Sequence, residues 1–295
     1  MDSIFDLELE LPNKQIAERT QTLIGFDKKF GRIFSNLKLL QEQDKLEEWS
    51  KSHYGSTLPI LGYIKEKYPL IILAGDVGTG KTVTAESIAD SMVRELKKEG
   101  YFLRLSTRVR GEGLHGQQGN LVNDAFKHAK ELAGKNRLCY LLIDEADAIA
   151  TTRATQQMHQ EEKAAVNTLI QKIDEIRELN GRLVLIMSTN RLHYLDEAII
   201  RRAAIILEFN RPDADERRAF FNQAFIGINL SDDEITAIVE KTGPQNPQRV
   251  GFSYSDIRLK FLPELVSVAF SNNEPISFEM IQKILCYIKP SPQIQ

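Results

Sequence analysis

The chain has 295 residues, enough for one large domain or two smaller ones. Its 38 Lys and Arg stand against 41 Asp and Glu, a formal charge of −3, which gives no whole-protein drive toward nucleic acid or an anionic membrane. Apolar residues at 42% exclude extended disorder, and the longest uncharged apolar stretches, such as Leu138–Ile143, are strand-sized, which excludes a transmembrane helix.

In chain order, Met1–Pro12 is acidic and lacks the basic-then-apolar pattern of a secretory signal. Lys29–Leu40 reads as a helix, with Phe30, Ile33, Phe34 and Leu37 at three- and four-residue spacing. Apolar runs of strand length follow at Leu70–Leu73, Phe102–Leu105, Leu138–Ile143, Leu183–Met187 and Ala204–Phe209. Between them lie two helical stripes, one of Ala85, Ile88, Ala89, Met92, Val93 and Leu96, the other of Val166, Leu169, Ile170, Ile173 and Ile176. Short strands without in/out alternation, separated by amphipathic helices, predict a parallel sheet covered on both faces. From Arg211-Pro212 the character changes. Asp213–Phe225, Ser231–Lys241, Ser255–Ser271 and Ser277–Ile288 all read as helices. Ser231 and Glu234 form a capping-box pattern, Ser277 stands where an N-cap belongs, and Pro263 predicts a kink or a short break. Cys139 and Cys286 both sit in apolar runs and read as buried thiols rather than as a disulfide or metal pair, which fits a cytoplasmic protein.

Gly75-Asp76-Val77-Gly78-Thr79-Gly80-Lys81-Thr82 fits the phosphate-binding pattern G-x-x-x-x-G-K-[ST], between a strand and a helix as that pattern requires. Its glycines let backbone N–H groups converge on phosphate oxygens, and the helix N-terminus adds a favourable dipole. The candidate nucleotide-binding set is Gly75, Val77, Gly78, Thr79, Gly80, Lys81, Thr82 and Val83. Lys81 is expected to reach the β- and γ-phosphates, and the Thr82 hydroxyl to bind Mg²⁺. The strand Leu138–Ile143 ends in Asp144-Glu145. Asp144 is expected to hold Mg²⁺ through water and Glu145 to orient and activate the attacking water. Leu183–Met187 ends in Ser188-Thr189-Asn190, where Asn190 suits a contact to the γ-phosphate or that water; taken alone it is also an ordinary strand-to-loop turn. Arg201 and Arg202, taken alone, read as a solvated surface or a structural ion pair. Arg104, Arg108 and Arg110, with Glu112 close by, read as a solvated loop or pore edge rather than a nucleic-acid groove. His115 and His159 lack the spacing of a metal site.

The order of P-loop, Asp-Glu strand end, polar strand end and helical domain resembles the AAA+ ATPases. Leu195-Asp196-Glu197-Ala198-Ile199-Ile200-Arg201-Arg202 looks like that family's arginine-finger segment, Leu23-Ile24-Gly25 like its adenine-flanking stretch, and Gly251–Arg258 like the start of its second-sensor helix. Within AAA+, Leu142–Ala146, Val166–Asp174, Ser188–Asn190 and Ser255–Pro263 are most similar to the pachytene-checkpoint family, which remodels HORMA-domain proteins and has short bacterial members. The resemblance implies an α/β fold with five parallel strands in the order 5-1-4-3-2 and a small helical lid. It implies an N-terminal arm at 1–20, a large ATPase domain at 21–211 and a lid at 212–295. It makes Ile24 and Gly25 neighbours of the adenine, Asn190 sensor one, Arg202 the finger and Arg258 sensor two. ATP and Mg²⁺ are the implied cofactors, and the implied assembly is a ring, a homo-hexamer. The implied partner is a HORMA-domain protein, bound in turn to a nucleotidyltransferase in CBASS anti-phage signalling. Leu114-His115-Gly116 matches the first pore loop, with Leu114 where the family carries an aromatic residue. A DNA-associated loader is the competing reading; a pore-like loop with His115, Gln117 and Gln118 but no lysine argues against it. A module that holds ATP without turning it over is argued against by the presence of both Asp144 and Glu145.

Overall fold

The computed structural model describes residues 4–106, 117–152, 160–245 and 249–293. The chain divides into two compact units, one of Met1–Ala74 with Thr82–Glu208, the other of Gly75–Lys81 with Phe209–Gln295.

Among the described residues six strands, β1 Phe5–Leu11, β2 Leu70–Gly75, β3 Gly100–Leu105, β4 Leu138–Ile143, β5 Leu183–Thr189 and β6 Ile205–Phe209, form one sheet ordered β1-β3-β4-β5-β2-β6. β4 and β5 are buried at every position and β2 at all but its last, the pattern of parallel strands with both faces covered. The pairs β3–β4, β4–β5 and β5–β2 are parallel. Strands two to six stand in the expected 5-1-4-3-2 order. The count of five parallel strands is corrected by β1, an edge strand antiparallel to β3 with Leu11 opposite Gly100 and Phe5 opposite Leu105. The acidic start is that strand: Phe5, Leu7, Leu9 and Leu11 alternate with Asp6, Glu8 and Glu10, which gives one packed face and one charged face.

Residues expected to form an arm are thus built into the first unit. Asn13 caps α1 (Lys14–Thr20) by accepting the Gln15 and Ile16 amides at 3.0 and 3.2 Å. The same residue's N–H donates to Asp90 of α5 (Lys81–Glu95) at 2.5 Å, Arg19 pairs with Glu86, and Thr20 Oγ1 meets Ser87 Oγ at 2.8 Å. The predicted Lys29–Leu40 helix is α2, Phe26–Gln41, which buries Phe26, Ile33, Leu37 and Leu40. Helices α3 (Gln43–Tyr54), α4 (Leu61–Lys65), α6 (Gln117–Ala133), α7 (Gln160–Arg177) and α8 (Glu197–Ile200) complete this unit.

The second unit carries α9 (Ala214–Ala224), α10 (Asp232–Thr242), a π-helical turn at Asp256–Phe261, α11 (Leu262–Asn272) and α12 (Phe278–Tyr287). Capping boxes at Asp213/Glu216 and Ser231/Glu234 start α9 and α10, and the Ser277 hydroxyl accepts the Met280 amide to start α12. The predicted third helix runs without interruption from the π turn into α11, with Phe261 and Leu262 both in helical conformation, and Pro263 stands in the first turn of α11, where the helix changes from π to α pitch. Phe221, Ile238, Ile257, Phe261 and Ile281 are fully buried in this unit's core. Cys139 is buried in β4, and burial pushes its thiol pKa far up; Cys286, expected to be buried, is exposed because α12 turns that side outward. No helix among the described residues is long and apolar enough to cross a membrane.

Candidate active site

Parallel registry brings three strand ends level. Ala74 pairs with Thr189 and Ile143 with Met187, so Asp144-Glu145, Asn190 and the chain leaving β2 all depart from the carboxyl end of the sheet, where α/β sheets bind ligands.

The loop leaving β2 is held from within. Gly75 passes so close to β6 that a Cβ there would lie 2.0 Å from the Phe209 carbonyl oxygen, which itself accepts the Asp76 amide at 3.1 Å. The buried Lys81 ammonium donates to the carbonyls of Gly75 and Asp76 at 2.9 and 2.7 Å, and Thr79 Oγ1 donates to the Asp76 carbonyl at 2.8 Å. The Ser255 amide donates to the Gly78 carbonyl at 3.0 Å. Gly80 has φ +93°, and among the described residues none but its chain neighbours lies within 4 Å of where its Cβ would be. Open space at Gly80, a buried ammonium beside it and the amino end of the 15-residue helix α5 fit a phosphate chain.

In the first unit, Thr82 Oγ1 donates to Asp144 Oδ2 at 2.8 Å, and the Glu145 amide donates to Asp144 Oδ1 at 3.0 Å. A hydroxyl and a carboxylate this close are the hard oxygen donors that suit Mg²⁺. Glu145 is exposed and held at φ +46°, a left-handed conformation that costs a non-glycine residue about 1–3 kcal/mol and marks functional positions. Next to it, Thr189 Oγ1 donates to Asp147 Oδ1 at 2.8 Å and accepts the Arg191 amide at 2.9 Å, which fixes the chain on both sides of Asn190. Sequence reasoning missed Asp147 and gave Thr189, inside the Ser188–Asn190 strand end, no role of its own; the β4–β5 registry brings the two together.

Arg202 is bound within its own chain. Its Nε and Nη2 donate to the two Asp174 oxygens at 2.8 and 3.1 Å, Nη1 donates to the Ala198 carbonyl at 3.0 Å, and the guanidinium lies 5.5 Å from the Tyr68 ring centroid. Hydrogen bonding to Asp174 raises its pKa further. Arg201 is the solvated one, 78% exposed and paired with Glu197 one turn back. Arg258 is exposed on the π turn, Ile24 is half-buried, and Gly25, at φ +70°, is the N-cap of α2. Leu114, His115 and Gly116 lie outside the described residues, as do Arg108, Arg110, Glu112 and His159.

The ATPase family associated with various cellular activities (AAA) matches residues 71–211, from β2 through the P-loop to the end of β6. CD-NTase-associated protein 6 of Escherichia coli strain KTE188 is 43% identical over 98% of this chain and 97% of its own length. The protein of the same name from E. coli strain MS 115-1 is 34% identical over 99% and 96%. A chain of the E. coli MS115-1 HORMA:CdnC:Trip13 complex superposes with a TM-score of 0.91 at 33% identity, covering 100% of this chain and 99% of that one. Rhizobiales Trip13 gives 0.74 at 30% identity over 98% and 99%. The chain is therefore an AAA ATPase and belongs to the family of CD-NTase-associated protein 6.

Proposed function

We propose that this chain is an ATP-driven protein remodeller, working as a homo-hexameric ring in the cytoplasm, that disassembles a HORMA-domain protein from its nucleotidyltransferase partner in CBASS anti-phage signalling. The observation that carries it is the full-length likeness to a chain of the HORMA:CdnC:Trip13 complex. In this reading residues 21–211 are the ATPase domain and 212–295 its lid. Ile24 and Gly25 flank the adenine. The Gly75–Val83 segment holds the phosphates, with Lys81 reaching the β- and γ-phosphates. Mg²⁺, held by Thr82 and through water by Asp144, would supply charge neutralisation on the phosphates. Glu145 orients and activates the attacking water, and Asn190 contacts the γ-phosphate or that water. Arg258 serves as sensor two, and Arg202 stabilises transition-state charge at the neighbouring subunit's site, for which it must leave Asp174. Leu114 and His115 would grip an unstructured end of the partner, with Gly116 as the hinge.

The test is a purified complex of a HORMA protein and its nucleotidyltransferase, incubated with this protein and ATP and run on a sizing column. Separation of the complex with ATP but not with ADP is the expected result. An intact complex, with ATPase stimulated by DNA instead, would replace the remodeller with the loader.

A further inference from the structure

Within the unit of Gly75–Lys81 and Phe209–Gln295, one arginine ties together segments that lie far apart in the sequence. Arg211 Nε donates to Asp76 Oδ2 at 2.6 Å, Nη1 to the Gly251 carbonyl at 2.7 Å and Nη2 to the Ser291 carbonyl at 2.8 Å. The side chains are only 10% and 5% exposed, so water screens the Arg211–Asp76 pair weakly. Asp256 Oδ2 lies 3.9 Å from Arg211 Nη1. Asp256 is fully buried and accepts from the Ser253 amide and hydroxyl at 3.0 and 2.9 Å, the Ser291 amide and hydroxyl at 3.1 and 2.6 Å, and Lys260 Nζ at 2.7 Å. Asp256 is also the first residue of the π turn that carries Arg258.

The other end of the chain of contacts lies in the phosphate loop. Asp76 Oδ1 accepts the Val77 amide at 2.8 Å, and the Asp76 carbonyl accepts Lys81 Nζ and Thr79 Oγ1 at 2.7 and 2.8 Å. One residue thus orients a loop amide and the lysine, and Arg211 orients that residue. Only a planar fork with several donors reaches one carboxylate and two carbonyls at once, so lysine is no substitute.

We propose that Asp76, Arg211 and Ser291 form a positioning strut for nucleotide binding: the segment after α12, at Ser291, braces Arg211, and Arg211 holds Asp76 so that the Val77 amide and Lys81 are pre-set for the phosphates. These are positioning residues, because none of the three supplies the attacking water or the metal ligands. Loosening the strut weakens nucleotide binding and leaves the chemical step alone. The segment after α12 thereby becomes part of the nucleotide-binding machinery. The proposal rests on the nucleotide-site reading above.

The experiment measures affinity for a fluorescent ADP, and KM and kcat for ATP, in wild type, Asp76→Asn, Arg211→Lys, the double variant and Lys81→Ala. Thermal unfolding without nucleotide checks that each is folded. Each single strut variant is expected to bind about tenfold more weakly, with KM raised in step and kcat within about twofold. The double variant is expected to be about as weak as either single one, because the groups act as a unit. Unchanged affinity in Asp76→Asn, a loss confined to kcat, or multiplied losses in the double variant would overturn the strut. If Arg211→Lys does not fold, Asp76→Asn, which leaves both Arg211–carbonyl bonds in place, decides the matter by itself. Full nucleotide binding by Lys81→Ala would refute the nucleotide-site reading; loss there with a normal Asp76→Asn would refute the strut alone.

Discussion

Alanine at Gly75 and alanine at Gly80 are expected to have different consequences although both change one glycine of the same loop. At Gly75 the new Cβ would lie 2.0 Å from the Phe209 carbonyl oxygen, 2.7 Å from its carbon and 2.9 Å from Cα. These are backbone atoms that no rotamer change can clear, and the oxygen is the acceptor of the Asp76 amide. The unfavourable φ of +146° costs about 1–3 kcal/mol, and forced overpacking about 1–3 kcal/mol more. With the displaced hydrogen bond, Gly75→Ala is expected to lose about 4 kcal/mol or more of stability. At Gly80 no described residue other than its chain neighbours lies within 4 Å of the new Cβ, so the penalty there is that of the left-handed backbone at φ +93°, about 1–3 kcal/mol. Urea unfolding followed by circular dichroism, without nucleotide, reads the difference through the midpoint and slope. Gly80→Ala is nevertheless expected to weaken ADP binding about tenfold, because relaxing φ turns the loop amides away from the phosphates. Equal destabilisation by the two substitutions, or a Gly75→Ala protein within about 1 kcal/mol of wild type, would show that the Phe209 carbonyl does not limit the space at Gly75.

Lys81→Ala is expected to abolish ATP binding, whereas Glu145→Gln keeps binding and stops turnover; separate binding and hydrolysis assays check this, and equal loss of binding would end the division of roles. Arg202→Ala should lower turnover far more than ATP affinity, and mixing it with Lys81→Ala subunits should restore some activity, since the two lesions fall at different interfaces. Asp174→Asn releases Arg202 from a half-exposed pair, so its stability cost should stay near 1 kcal/mol or less while turnover changes only when Arg202 is present; an equal change in an Arg202→Ala background would contradict that link. For Asp256, burial alone would raise the carboxyl pKa, but hydrogen bonds from Lys260, Ser291 and Ser253 outweigh it and hold it well below the usual range. Its contribution to stability is therefore complete above the ordinary carboxylate pKa and is lost as pH falls toward the depressed folded value. Acid unfolding of Asp256→Asn, compared with wild type, should show a flatter pH dependence over that interval.

Most of the secondary structure is written in local patterns. Unbroken apolar runs gave β2, β4 and β5, and helical spacing gave α2 and α7, because burial on both faces or along one stripe is written within a few residues. The Gly75–Thr82 motif and the Asp144-Glu145 strand end were legible for the same reason: a phosphate loop is built from consecutive backbone. β1 was half legible, since its alternation is plain but its antiparallel place beside β3 depends on a partner far along the chain. It takes the folded chain to turn Cys286 outward, to hold Arg202 against Asp174 and Tyr68, and to bring Asp147 to Thr189. The fold alone joins Asp76 to Arg211 and Arg211 to Ser291. Charges and hydrogen-bonding groups satisfy whichever partners the folded backbone delivers, and no period or spacing along the chain encodes a contact between residues brought together only by packing.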